Sequence, residues 1–144
     1  LLETAKAQAD AQVSERNARE KAEMMRQLGM DEGENATKAS RTMIRQLEED
    51  QKRRSKRALT DAIDRALIDL LAIYRDVLMV QVGGDGELIN TDLADLVHEI
   101  AQDSTPRQTL ARVDHIETAR KRLVSNGNPL LVLEDMAISL RPQA

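Results

Sequence analysis

The composition predicts an all-α protein: a helical bundle preceded by a long helical hairpin. Aromatic residues make up 1% of the 144 residues, a single Tyr with no Phe or Trp. Strands draw on aromatic and β-branched side chains, so a sheet would be poorly supplied. Leu, Ala, Met, Glu, Gln, Lys and Arg dominate instead, and these favour helix. The third observation is periodicity. Apolar residues recur at steps of three and four, as in Leu59, Ile63, Leu67, Leu70, Leu71, Tyr74, Val77 and Leu78. That is a helical stripe and not the alternation of a strand.

The elements follow in order. Thr4 to Leu28 reads as a first helix, with Gly29 placed as a C-terminal cap. Its apolar face is thin (Ala11, Ala18, Ala22, Met25), so it needs a partner surface. Gly29–Asn35 is a polar loop with two glycines. A long helix is expected from Thr37 toward Val82, ended by Gly83-Gly84. It carries Met43, Ile44 and Leu47, then a polar stretch around Ser55 where it either continues or breaks, then the long apolar stripe. The first helix is expected to fold back antiparallel on residues 37–57, Ala18, Ala22 and Met25 facing Met43, Ile44 and Leu47. Leu67 to Val80 is apolar nearly all round and marks the central core helix.

Beyond it, Asn90 or Thr91 is placed to cap a short helix from Asp92 to about Gln102, burying Leu93, Leu96, Val97 and Ile100. Thr105-Pro106 is a cap followed by Pro at the first helical position. That helix carries Leu110, Val113, Ile116 and Leu123 and ends near Asn126-Gly127. Asn128-Pro129 repeats the signature and opens a last helix to about Leu140, burying Leu130, Leu133, Met136, Ala137 and Leu140. Residues 58–144 thus make a bundle of about four helices.

The net charge of −4 is arranged in blocks. Residues 1–36 hold five basic and eight acidic side chains, and residues 37–60 hold eight basic and three acidic; the remainder is net −6. Charge of this kind concerns partners, not fold. The sharpest run, Lys52-Arg53-Arg54-Ser55-Lys56-Arg57, has no aromatic residue interleaved to stack bases. Six consecutive residues also spread around the helix circumference, so the run reads as a solvated segment or one that meets an acidic partner. Direct nucleic-acid contact is not expected.

Chemistry-bearing motifs are missing. Gly83-Gly84-Asp85-Gly86 has no following Lys and leaves a helix, so it reads as a terminator and not as a phosphate loop. Asp85, Glu87, Asn90 and Asp92 fail the calcium-loop pattern, because Leu96 stands where its bidentate Glu would fall. His98 and His115 belong to no metal-ligand spacing, and cysteine is absent, which excludes disulfides and thiolate metal sites and fits a reducing cytoplasm. No catalytic, cofactor or metal residues are assigned, no cofactor is expected, and no apolar run suits a membrane. The chain opens at Leu1-Leu2-Glu3 without an initiator Met, as a piece of a longer protein would.

From residue 55 onward the order of residues becomes specific. Ala66 to Leu78 reads "ALIDLLAIYRDVL"; then come Leu88-Ile89-Asn90, Asp92, Ile116, Arg120 and Leu123; Asn126 to Glu134 reads "NGNPLLVLE". This set resembles the C-terminal domain of the delta-prime subunits of bacterial DNA polymerase III, part of the sliding-clamp loader. The resemblance implies a non-catalytic domain that joins other clamp-loader subunits, of gamma/tau and delta type, in a pentameric helical collar in the cytoplasm. Residues 1–54 would be a hairpin connector following an AAA+ lid region, and residues 55–144 the collar domain. Structural or interface candidates are Leu67, Tyr74, Arg75, Asn128, Pro129, Leu133 and Glu134. Arg75 and Glu134 are charges set among apolar residues, so Arg75 is expected to pair with Glu134 or with another acid from a different helix. A helical coiled-coil adaptor unrelated to replication, dimerising through Met43–Leu47, is the alternative.

Overall fold

A computed structural model describes residues 2–29, 38–125 and 127–142. It is all-α among these residues: α1 (Leu2–Gln27), α2 (Lys38–Gln81), a 3-10 turn (Thr91–Leu93), α3 (Ala94–Gln102), α4 (Pro106–Val124) and α5 (Pro129–Ser139). The expected loop beyond Gly29, the helix start at Thr37, and Asn126 lie outside the described residues. The chain forms two compact units, Leu1–Ile63 and Asp64–Ala144. Helix α2 runs unbroken past Ser55. Nothing in its polar stretch interrupts the backbone hydrogen bonds, since Lys, Arg and Gln are good helix formers.

In the first unit α1 lies antiparallel to the first half of α2. Asn17 Nδ2 donates to Ser55 Oγ at 3.3 Å, Gln51 Nε2 donates to the Asn17 carbonyl at 2.8 Å, and Lys21 Nζ reaches Glu48 at 2.7 Å. The Arg54 guanidinium forks onto the Glu20 carboxylate, one arm at 2.9 Å. That fork holds the Glu20 carboxyl down at about 2. The seam matches the expected one in part: Met25, Ile44 and Leu47 are half-buried, but Ala18, Ala22 and Met43 are exposed, and Val13, Asn17, Glu20, Met24 and Leu28 join the half-buried side, with Gln51 and Arg54 opposite. Alanine offers too little surface to choose the face, so the longer polar and apolar side chains choose it.

The second unit has a conventional apolar core. Leu67, Val77, Val97, Ile116, Ala119 and Leu123 are at most 3% exposed, and Val132 and Met136 of α5 close the core. Helix α2 ends as its glycines predict. Gly83 takes φ +67°, its N–H donates to the Val80 carbonyl, and the Gly84 N–H donates to the Met79 carbonyl. This double closure needs a left-handed residue at Gly83. Gly29, with φ +66°, ends α1 likewise.

Thr105 caps α4 with a full capping box: Gln108 N–H donates to the Thr105 hydroxyl, and the Thr105 N–H donates to Gln108 Oε1. Asn128 Oδ1 accepts from the Leu130 and Leu131 N–H groups and opens α5. Asn128→Ala should therefore cost about 1 kcal/mol, a fall in Tm of about 2–4 °C, while Asn128→Asp keeps the cap; thermal unfolding by circular dichroism reads both. Asn90 behaves otherwise. Its side chain makes no cap, and α3 opens through the 3-10 turn instead. The two outer-helix faces are also corrected: Leu96, at 43% exposure, and Leu130, at 64%, point to solvent, as does Ala137. A helix that is apolar all round does not announce which side turns inward.

Candidate interface of the helical bundle

Two polar knots fix the end of the bundle where α2 stops. The first is built on Asp76, which is fully buried in the apolar stretch that ends α2. Its carboxylate accepts from the Ile89 N–H at 3.0 Å, the Asn90 N–H at 2.8 Å and Asn90 Nδ2 at 3.0 Å, and Arg75 adds a bond at 2.9 Å. Burial pushes this carboxyl up, but the backbone and side-chain donors outweigh it and bring it to about 2. The loop that leaves α2 is thereby pulled back onto the helix. Tyr74-Arg75-Asp76 and Leu88-Ile89-Asn90, far apart in the sequence, are thus one structural device. The expected Arg75–Glu134 pair does not form. Arg75 is 45% exposed along its side chain and binds its neighbour Asp76 and the Glu87 carbonyl, at 3.2 Å. The buried charge is the acid next to it, one residue and a different helix face away.

The second knot is Gln81. Its Nε2 donates to the Ser104 carbonyl at 2.7 Å and to Ser104 Oγ at 3.1 Å, while its Oε1 accepts from the buried Thr109 hydroxyl at 2.8 Å. Neither Asp76, Gln81 nor Thr109 stands out in the sequence as a candidate. For Asp76 the available signal is a short polar side chain inside the apolar stretch that ends α2.

Further along the helices, Arg120 clasps Asp64 with two bonds, at 2.6 and 3.1 Å, and holds the Asp64 carboxyl below its usual range. The Arg122 guanidinium meets the Asp135 carboxylate across α4 and α5. Tyr74 is half-buried, with the Arg112 guanidinium 6.0 Å from its ring centroid.

These contacts present one outer face. Leu67 is core, at 1% exposure; Pro129 and Leu133 are half-buried; Asn128 is the exposed cap of α5. On α5, Leu130, Leu131 and Ile138 are each more than 60% exposed, and Ala137 and Glu134 are exposed with them. Their spacing places them on one side of the helix, opposite Val132 and Met136. Glu134 is the single charge in the middle of this apolar face. Among the described residues no three His or carboxylate groups converge as a metal site would need, and no helix is long and apolar enough to cross a membrane.

The family described as DNA polymerase III, delta subunit, C terminal, matches residues 34–141. The chain is similar to DNA polymerase III subunit delta' of Bacillus subtilis (strain 168), 36% identical over 72 residues, which are 50% of this chain and 22% of that relative. The chain thus spans less than a quarter of that relative's length. No solved structure matches. The family match covers both the second half of the α1–α2 hairpin and the whole bundle, and the resemblance carried by the Tyr-Arg-Asp and Asn-x-Asn-Pro stretches is borne out. The chain belongs to this family, the C-terminal domains of DNA polymerase III delta-type subunits.

Proposed function

We propose that this chain is a non-catalytic assembly domain of a bacterial clamp loader, of delta-prime type, working in the cytoplasm as one sector of a pentameric collar. Residues 55–144 supply the collar contacts, and residues 1–54 act as a connector that follows a AAA+ lid region. Its partners are the helical domains of gamma/tau and delta subunits. The observation that carries this reading is the outer face of α5, whose apolar side chains are left open to water although the helix already fills the core with Val132 and Met136. An exposed apolar face of this kind marks an association surface. Each Leu or Ile fully removed from water there would contribute about 1.5–3 kcal/mol before association costs.

Co-purification tests it. The chain, co-expressed with gamma/tau and delta subunits, is expected to elute with them as one complex. A chain that stays helical by circular dichroism yet associates with neither overturns the collar reading. Self-association through the Met43–Leu47 stretch would then put the adaptor reading in its place; Met43 is 48% exposed.

A further inference from the structure

We infer that the outward face of α2 between Lys38 and Lys56 binds the phosphate backbone of duplex DNA without sequence preference. Lys38, Arg41, Arg45, Lys52 and Lys56 follow one another at steps of three, four, seven and four residues. Those steps place all five within about 60° on the helix surface, in a line about 27 Å long. All five are exposed, and among the described residues none of them is in an ion pair. Arg53 and Arg57 flank the line and are exposed as well.

Two acids edge the line between Arg45 and Lys52: Glu48 bonds to Lys21 and also feels Lys52 and Arg45, and Glu49 lies 4.0 Å from Arg53, so the five cations outnumber the acids beside them. Helix α1 takes another side of α2 through Gln51, Arg54 and Ser55. Among the described residues the basic line is left open to solvent.

The occupant follows from what the face lacks. It holds no apolar residue between its cations, whereas a protein partner needs some apolar core to dock. It holds no aromatic residue, which disfavours single strands, because these are usually gripped by stacking. A straight, rigid row of cations suits a stiff, regularly charged backbone. The six-residue run Lys52–Arg57 conceals this row, since three of the row's five residues lie outside the run and four of the run's six residues are not part of the row.

The test is fluorescence anisotropy of the 144-residue chain with a labelled duplex of mixed sequence. At about 50 mM NaCl binding is expected, with the logarithm of the association constant falling against the logarithm of salt with a slope of about −4. Joint substitution of Arg41→Gln, Arg45→Gln, Lys52→Gln and Lys56→Gln should weaken binding at least ~10-fold and bring the slope to about −1. The variant's helicity is checked by circular dichroism, and the salt slope of the unsubstituted chain stands independently of it. Arg107→Gln with Arg141→Gln, in the other unit, should change nothing. Absence of duplex binding at low salt, or equal binding by the fourfold variant, overturns the proposal. Tighter binding of single strands, or equal binding of a poly-glutamate peptide, overturns the duplex assignment in favour of those partners. The collar reading concerns α5 and stands or falls separately.

Discussion

Asp76→Ala is expected to cost the bundle about 3–5 kcal/mol. The substitution removes one carboxylate and strands the Ile89 N–H, the Asn90 N–H and the Asn90 amide, all of which donate to it. Arg75 loses its only side-chain partner among the described residues. A cost of that size takes a large share of the ~5–15 kcal/mol that a domain of this kind has in total. Asp76→Asn keeps one acceptor oxygen and should fall between the two. Urea unfolding followed by far-ultraviolet circular dichroism measures both, and a loss below about 1 kcal/mol for Asp76→Ala would remove the knot from its role.

The same carboxylate carries a pH signature. Its folded value, at about 2, lies below the ordinary aspartate range. A depressed carboxyl stabilises the folded form once the unfolded chain is ionised, and loses that contribution as protons bind the folded form. Stability from Asp76 is therefore complete above about pH 5 and drains away between about pH 4 and 2. In Asp76→Asn that acid limb should flatten.

How far the sequence can be read depends on the range of each interaction. The caps Thr105-Pro106 and Asn128-Pro129 and the terminator at Gly83 are legible because each is settled by bonds within five residues. The all-α fold is legible from composition and periodicity. Asp76 is not, because its donors sit 13 and 14 residues away, and only the path of the intervening loop brings them back. Arg75 draws attention as the larger charge among apolar residues, yet a long cation can snorkel to water whereas a short carboxylate cannot. The outward side of α5 is illegible for a different reason. Val132 and Leu131 are equally apolar, and only the packed core decides which one turns inward. The basic row on α2 is hidden when charge is read as a contiguous run and not as a helix face.

Ile138→Lys separates assembly from folding more sharply than any other change on α5. The residue is 62% exposed, so the isolated domain loses little packing. The new ammonium stands four residues after Glu134, the favourable order for a helical ion pair, worth about 0.3–0.5 kcal/mol to α5 itself. The free domain should therefore keep its Tm or gain slightly. In a complex that covers this face, the same ammonium would be taken from water into an apolar contact and would claim the one carboxylate a partner cation could use. That costs about 2–4 kcal/mol of association, a weakening of roughly 30- to 1,000-fold. Val132→Lys is the contrast: the residue is 7% exposed, so a charge there should unfold the bundle outright. Sedimentation velocity of each variant with the purified gamma/tau and delta subunits, beside thermal unfolding of the variant alone, gives both quantities. If Ile138→Lys assembles as tightly as the unsubstituted chain, α5 is not the contact surface, and the interface must be sought among the bundle's other exposed apolar residues, which include Ile68, Val82, Ile89, Leu96, Leu110 and Val124.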